Sequence, residues 1–127
     1  MGNQLFSFEK LEVWQISLEV GDIVYSIANL LPEQERYNLI SQMQRAATSI
    51  SLNIAEGSVF TTDREKIKYL NTAIRSCVEV VAAGRIILRR NYFKENNDLI
   101  ISLFEVLNKL FAKLSAFTST IKRRLDN

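Results

Sequence analysis

Histidine is absent from the chain, and cysteine, proline and tryptophan each occur once. The first absence excludes much chemistry. Without an imidazole there is no Ser-His or Cys-His catalytic pair and no zinc-protease motif. The Glu-x-x-His ligands that build a di-iron site inside a helical bundle are missing too. The lone Cys77 cannot form an intramolecular disulfide, and its place on an apolar helical row predicts a buried, inert thiol. The four glycines, at positions 2, 21, 57 and 84, are too scattered to form a phosphate-cradling loop. So little glycine and proline also leaves little material for the turns of an all-β fold. No apolar run reaches the roughly 18 residues that a membrane span needs. The opening stretch, MGNQLFSFEKLEVW, lacks a basic segment leading into an apolar one, so no signal peptide is expected. A cytoplasmic setting with no membrane partner is the expectation. Glu56, Asp63 and Glu65 gather around a helix junction, too weak a pattern to assign a cation. No metal, no cofactor and no enzymatic activity are expected.

What is present is helix. Apolar residues make up 47% of the 127 residues and charged residues 24%, as in an ordinary globular domain. Four apolar rows step by three and four. They are Val13, Ile16, Val20, Ile23, Ile27, Leu30; Leu39, Met43, Ala46, Ile50, Ile54; Ile67, Leu70, Ile74, Cys77, Val81, Gly84, Leu88; and Ile100, Leu103, Leu107, Leu110, Leu114, Phe117, Ile121. A mean step near 3.5 is the signature of helices packed at about 20°. The reading is a single all-α domain over 1–127, an antiparallel up-down-up-down four-helix bundle. Its helices are placed at roughly 9–31, 33–56, 63–90 and 97–124. The punctuation agrees. Pro32 suits a helix start, Thr62 with Glu65 has capping-box spacing, and Gly57 is expected to close the second helix in the left-handed conformation. Gly84 is expected to allow close helix approach, and Tyr92 and Phe93 to plug one end of the bundle.

Two features exceed what a bundle requires. Gln42, Arg45, Ser49, Asn53 and Glu56 form a polar row that flanks the core of the second helix. A polar network with Glu79 of the third helix is expected there, with Arg45 and Glu79 paired across the seam; a ligand groove or simple exposure are the alternatives. On the first helix, Leu11, Trp14, Leu18, Gly21, Tyr25 and Ala28 make a second apolar row, about 200° from the first at 100° per residue. Leu11, Trp14, Leu18 and Tyr25 are the candidate oligomer interface, which explains the whole row better than the alternative that Trp14 and Tyr25 merely flank the core or cover a loop.

Charge is uneven. Residues 1–84 carry 7 basic and 10 acidic side chains, and 85–127 carry 9 and 4, so the parts are −3 and +5. Arg85, Arg89 and Arg90, and Lys122, Arg123 and Arg124, are candidate nucleic-acid contacts. Cations near helix C-termini also suit the macrodipole with no partner at all.

The segments FEKLEVWQISLEV, PEQERYNLISQMQRAATSISLNIAEG and YLNTAIRSCVEV resemble the four-helix-bundle family of the ribosomal RNA intervening-sequence proteins. The resemblance spans about residues 6 to 120. It is most specific at Leu11, Val13 and Trp14, and over Gln42, Arg45, Ala46, Ala47, Ser49, Ile50, Asn53, Ile54, Ala55, Glu56 and Gly57; Glu79 matches the acid of the third helix. Members are encoded within insertions in bacterial large-subunit ribosomal RNA genes and elsewhere. The resemblance implies a ring-shaped homo-pentamer with no catalytic residues. Distant relatives look like accessory subunits of retroelement reverse transcriptases. The expected function is a non-catalytic oligomeric scaffold or adaptor associated with nucleic acid, either ribosomal RNA or retroelement RNA. The alternative is a protein-binding module, with a protein partner and no nucleic-acid role.

Overall fold

The computed structural model describes residues 6–59 and 62–126. Gly2 and the extreme ends of the expected 1–127 domain lie outside them. Among the described residues there are four long helices and no strand: α1 Glu12–Leu30, α2 Ser41–Val59, α3 Asp63–Arg89 and α4 Asp98–Asp126. The helices pack as α1 on α2 and α4, and α3 on α2 and α4. Side-chain contacts give the directions. Ser49 meets Ser76 while Glu35, ahead of α2, meets Tyr92 beyond α3, so α2 and α3 are antiparallel. Arg124 at the end of α4 reaches Asp63 at the start of α3. The four-helix bundle expected from the apolar rows is the fold.

The ends of the helices follow local chemistry. Thr62 caps α3, its hydroxyl accepting the Glu65 N–H at 3.3 Å. α3 closes on a Schellman motif with Asn91 at φ 62°. The Tyr92 N–H reaches the Ile87 carbonyl at 3.2 Å, and the Asn91 N–H reaches Leu88 at 3.0 Å. Asn97 then opens α4, its Oδ1 accepting the Leu99 N–H at 2.9 Å. α1 begins at Glu12 rather than near residue 9, because Leu11 is extended. Before it, Ser7–Lys10 forms a short 3-10 turn, with the Glu9 carboxylate accepting the Phe6 N–H at 3.0 Å. The second helix also differs from expectation. After Pro32, Glu33–Glu35 is a 3-10 turn and Arg36–Ile40 a π-helical turn; regular α-helix starts only at Ser41. That widened turn leaves Glu35 directed at Tyr92 while Leu39 and Met43 keep the core row.

Gly57 does not end α2. It is a buried helical residue with negative φ, and α2 continues to Val59. Its role is close approach: a Cβ there would lie 3.1 Å from Tyr69 Cβ and 3.4 Å from the Lys66 carbonyl oxygen. Gly84 serves the same purpose against α4, where a Cβ would lie 3.0 Å from the Phe104 ring, as expected of it.

The core rows of α1, α2 and α4 hold with small shifts. Val24 and Leu31 are buried where Ile23 is partly buried and Leu30 is exposed, and Thr118 is buried beside a half-buried Phe117. α3 is corrected more. Its buried row is Leu70, Ala73, Ser76, Cys77, Val80, Ala83, Gly84 and Ile87, whereas Ile67, Ile74, Val81 and Leu88 are only partly buried. Cys77 is fully buried as expected, and burial pushes its thiol up to about 12. Phe93 is buried at the end of the bundle beside a half-buried Tyr92.

Candidate functional site

The polar row on α2 divides into two kinds of residue. Ser49 and Asn53 are half-buried and bonded: Ser76 Oγ donates to Ser49 Oγ at 2.9 Å, and Asn53 Nδ2 donates to the Ser49 carbonyl at 2.8 Å and to its hydroxyl at 3.1 Å. Gln42 is exposed and donates to Asn38 at 3.3 Å. Arg45, Glu56 and Glu79 are exposed, and among the described residues their side chains make no hydrogen bond or ion pair. The expected Arg45–Glu79 pair is therefore not formed within the chain. The helical register is close to the one it required, but the two side chains line different grooves. Arg45 borders a shallow surface with Tyr25, Thr48 and Leu52, whereas Glu79 borders a cleft with Gln42, Ala83 and Arg90.

Hydroxyls, not charges, stitch α2 to α1 and α3. Besides Ser49 and Ser76, the Ser17 and Ser51 hydroxyls lie 2.9 Å apart between α1 and α2, and Ser17 donates to the Trp14 carbonyl at 2.6 Å. Neither Ser17, Ser51 nor Ser76 stands out in the sequence. The available signal is a small hydroxyl at a core-facing position of an otherwise apolar stripe.

The candidate interface on α1 also divides. Leu11 and Trp14 are partly buried against the chain's own core, and Phe8 meets the Trp14 ring edge-on with centroids 4.8 Å apart. Leu18 and Tyr25 stay exposed. The basic clusters sit at opposite ends of the bundle and are partly spent on the protein itself. Arg85 lies 4.2 Å above the Phe104 ring. Arg124 grips Asp63 through two hydrogen bonds of 3.2 and 3.0 Å, which hold the Asp63 carboxyl below its ordinary range. Arg123 donates to Thr120 at 3.3 Å. Arg89, Arg90 and Lys122 make no side-chain hydrogen bond or ion pair among the described residues.

The model of one protein family, the 23S rRNA-intervening sequence proteins, matches residues 9–115. The chain belongs to that family. Among solved structures, it is similar to a protein of unknown function from the S23 ribosomal protein family of Bacteroides thetaiotaomicron. The two share 20% identity and a TM-score of 0.75, over 84% of this chain and 95% of the other. At that identity the likeness concerns the fold. No curated protein matches the chain. No helix among the described residues is long and apolar enough to cross a membrane.

In this intervening-sequence protein the one buried ionisable cluster among the described residues is invisible in the sequence, because it joins Glu35 to Tyr92, 57 positions away. Glu35 is 7% exposed and accepts from the Tyr92 hydroxyl at 2.6 Å and from Asn38 Nδ2 at 3.0 Å. It closes one end of a cleft of about 420 Å³ lined also by Gln42, Glu79, Ala82, Ile86 and Arg90. The Tyr92 bond, then the Asn38 bond, hold the Glu35 carboxyl below its ordinary 4.5, against the opposing effect of burial. A carboxyl lowered in the folded state stabilises the fold above its unfolded value, and that stability is lost as pH falls through the lowered one. Tyr92→Phe should therefore be less stable than wild type at pH 7, with the difference shrinking as pH drops below 4.5. Urea unfolding at pH 7 and pH 3 checks this; an equal difference at both would mean that the hydroxyl does not act through the carboxylate.

Proposed function

We propose that this protein is a non-catalytic, self-associating cytoplasmic scaffold that presents its basic bundle ends to nucleic acid. The observation that carries the reading is an apolar band across the α1–α2 seam. Leu18, Tyr25 and Leu52 remain 45%, 50% and 54% exposed, next to a fully formed core. Tyr25 and Leu52 border one shallow surface, and a rigid tyrosine beside exposed leucines suits a subunit interface. The family resemblance implies five copies.

A nucleic-acid role draws on weaker support, namely the 23S rRNA in the family's name and the exposed Arg89, Arg90 and Lys122. A closed oligomer repeats each small cluster around a rim, so a weak patch acts several times at once. The affinity would be carried by phosphate contacts and would be largely independent of sequence.

Light scattering tests the first part. Wild type should run as a multiple of the 14.6 kDa chain, and Leu18→Glu or Tyr25→Glu should lower the mass while far-UV circular dichroism stays helical. A wild-type monomer at tens of micromolar (roughly the range of micromolar interfaces) would defeat the reading. Fluorescence anisotropy with structured RNA, single-stranded RNA and duplex DNA at rising salt tests the second. Lys122→Glu with Arg123→Glu should weaken binding and lower the salt slope by about 1 for each phosphate that is no longer neutralised. No binding at low salt would leave a scaffold that serves proteins only.

A further inference from the structure

Four charged side chains share an unusual arrangement. Arg45 and Glu56 on α2 are eleven residues apart, and Lys68 and Glu79 on α3 are also eleven apart. Eleven residues is close to three helical turns, so each pair lies on one face of its helix, about 16 Å from end to end. All four are exposed, and none has a side-chain hydrogen bond or ion pair among the described residues.

Their heights along the bundle match as well. Ser49 stands opposite Ser76. Arg45 is four residues from Ser49 and Glu79 is three from Ser76, in the same direction along the antiparallel pair. At 1.5 Å per residue the two differ by only about 1.5 Å in height. Glu56 and Lys68 lie seven and eight residues away in the opposite direction, and again differ by about 1.5 Å. Opposite charges thus stand level at two heights, yet they do not meet inside the chain.

A rotation about an axis parallel to the helices moves no residue along the bundle. Copies related in this way can pair only groups of equal height, and any axial offset gives a filament instead of a closed ring. We infer that the α2 face of one copy docks on the α3 face of the next, pairing Arg45 with Glu79 and Glu56 with Lys68. The occupant of each face is a second copy of this chain. Exposed apolar side chains lie near both members of the first pair: Tyr25 and Leu52 border Arg45, and Ile86 lines the same cleft as Glu79. Glu79 is unpaired among the described residues because its partner is the next copy's Arg45.

The inference rests on the self-association reading, and charge exchange separates the two. Arg45→Glu and Glu79→Arg should each reduce the mass to 14.6 kDa in light scattering, with helical circular dichroism retained. The double exchange, Arg45→Glu with Glu79→Arg, restores opposite charges at every interface and should restore the wild-type mass. A wild-type monomer would overturn both readings. Single variants that keep the wild-type mass would overturn this pairing and leave self-association standing, as would a double exchange that stays monomeric. Should either single variant lose its helical signal, Glu56→Lys and Lys68→Glu, singly and together, repeat the test at the second pair with the same outcomes.

Discussion

Leu110→Ala should lower the free energy of unfolding by about 2–5 kcal/mol. Leu110 is fully buried in the core row of α4 and belongs to the apolar core to which all four helices contribute. Truncation removes three carbons' worth of transfer energy and leaves a cavity that four mutually braced helices cannot collapse to fill. The gain in helix propensity from alanine is a few tenths of a kcal/mol and offsets little. One position earlier, Lys109 is exposed and makes no ion pair among the described residues. Lys109→Ala should therefore stay within about 0.5 kcal/mol. Urea unfolding at one fixed protein concentration measures both, since self-association would otherwise enter the result. A Leu110→Ala cost below about 1 kcal/mol would mean that the core relaxes around the gap.

Much of the architecture was legible because α4 and α1 obey one rule. The core row Leu103, Leu107, Leu110, Leu114 keeps the three-four step and is fully buried, while Phe104, Val106 and Phe111 beside it are partly buried or exposed, so the step itself identifies the buried face. The cap at Thr62 and the approach at Gly84 were legible for similar reasons, since each depends on one residue and its immediate surroundings. Gly57 misled because a glycine after a helical row has two uses. The choice between ending α2 and admitting Tyr69 is made by α3, not by α2. The α2 polar row was visible as a pattern, but its division into bonded and unbonded members was not. Ser49 is short and reaches Ser76, and Asn53 bonds back to Ser49, whereas Arg45 and Glu56 are exposed. The Glu35–Tyr92 bond was out of reach, joining residues 57 apart through two helix ends of irregular geometry.

α3 shows where periodicity fails, and it sets the second large effect. Its apolar stripe is wide, so the larger side chains, Ile67, Ile74, Val81 and Leu88, drew the expected row to one edge of it. The buried centre belongs instead to smaller residues, with Ala73 completely enclosed and Ser76 one turn on. Ala73→Leu should then destabilise by about 1–3 kcal/mol, although leucine is nearly as good a helix former as alanine. The added carbons have no void to enter, and α2 cannot retreat without stretching the 2.9 Å bond between Ser76 and Ser49. Ile74→Val, at the position that periodicity favoured, removes one methylene from a half-buried site and should cost no more than about 0.5–1.5 kcal/mol. The order of the two effects is the decisive reading in urea unfolding. If Ile74→Val proved the more damaging, the buried face of α3 would be the one drawn by the large residues, and the small-residue centre would be wrong.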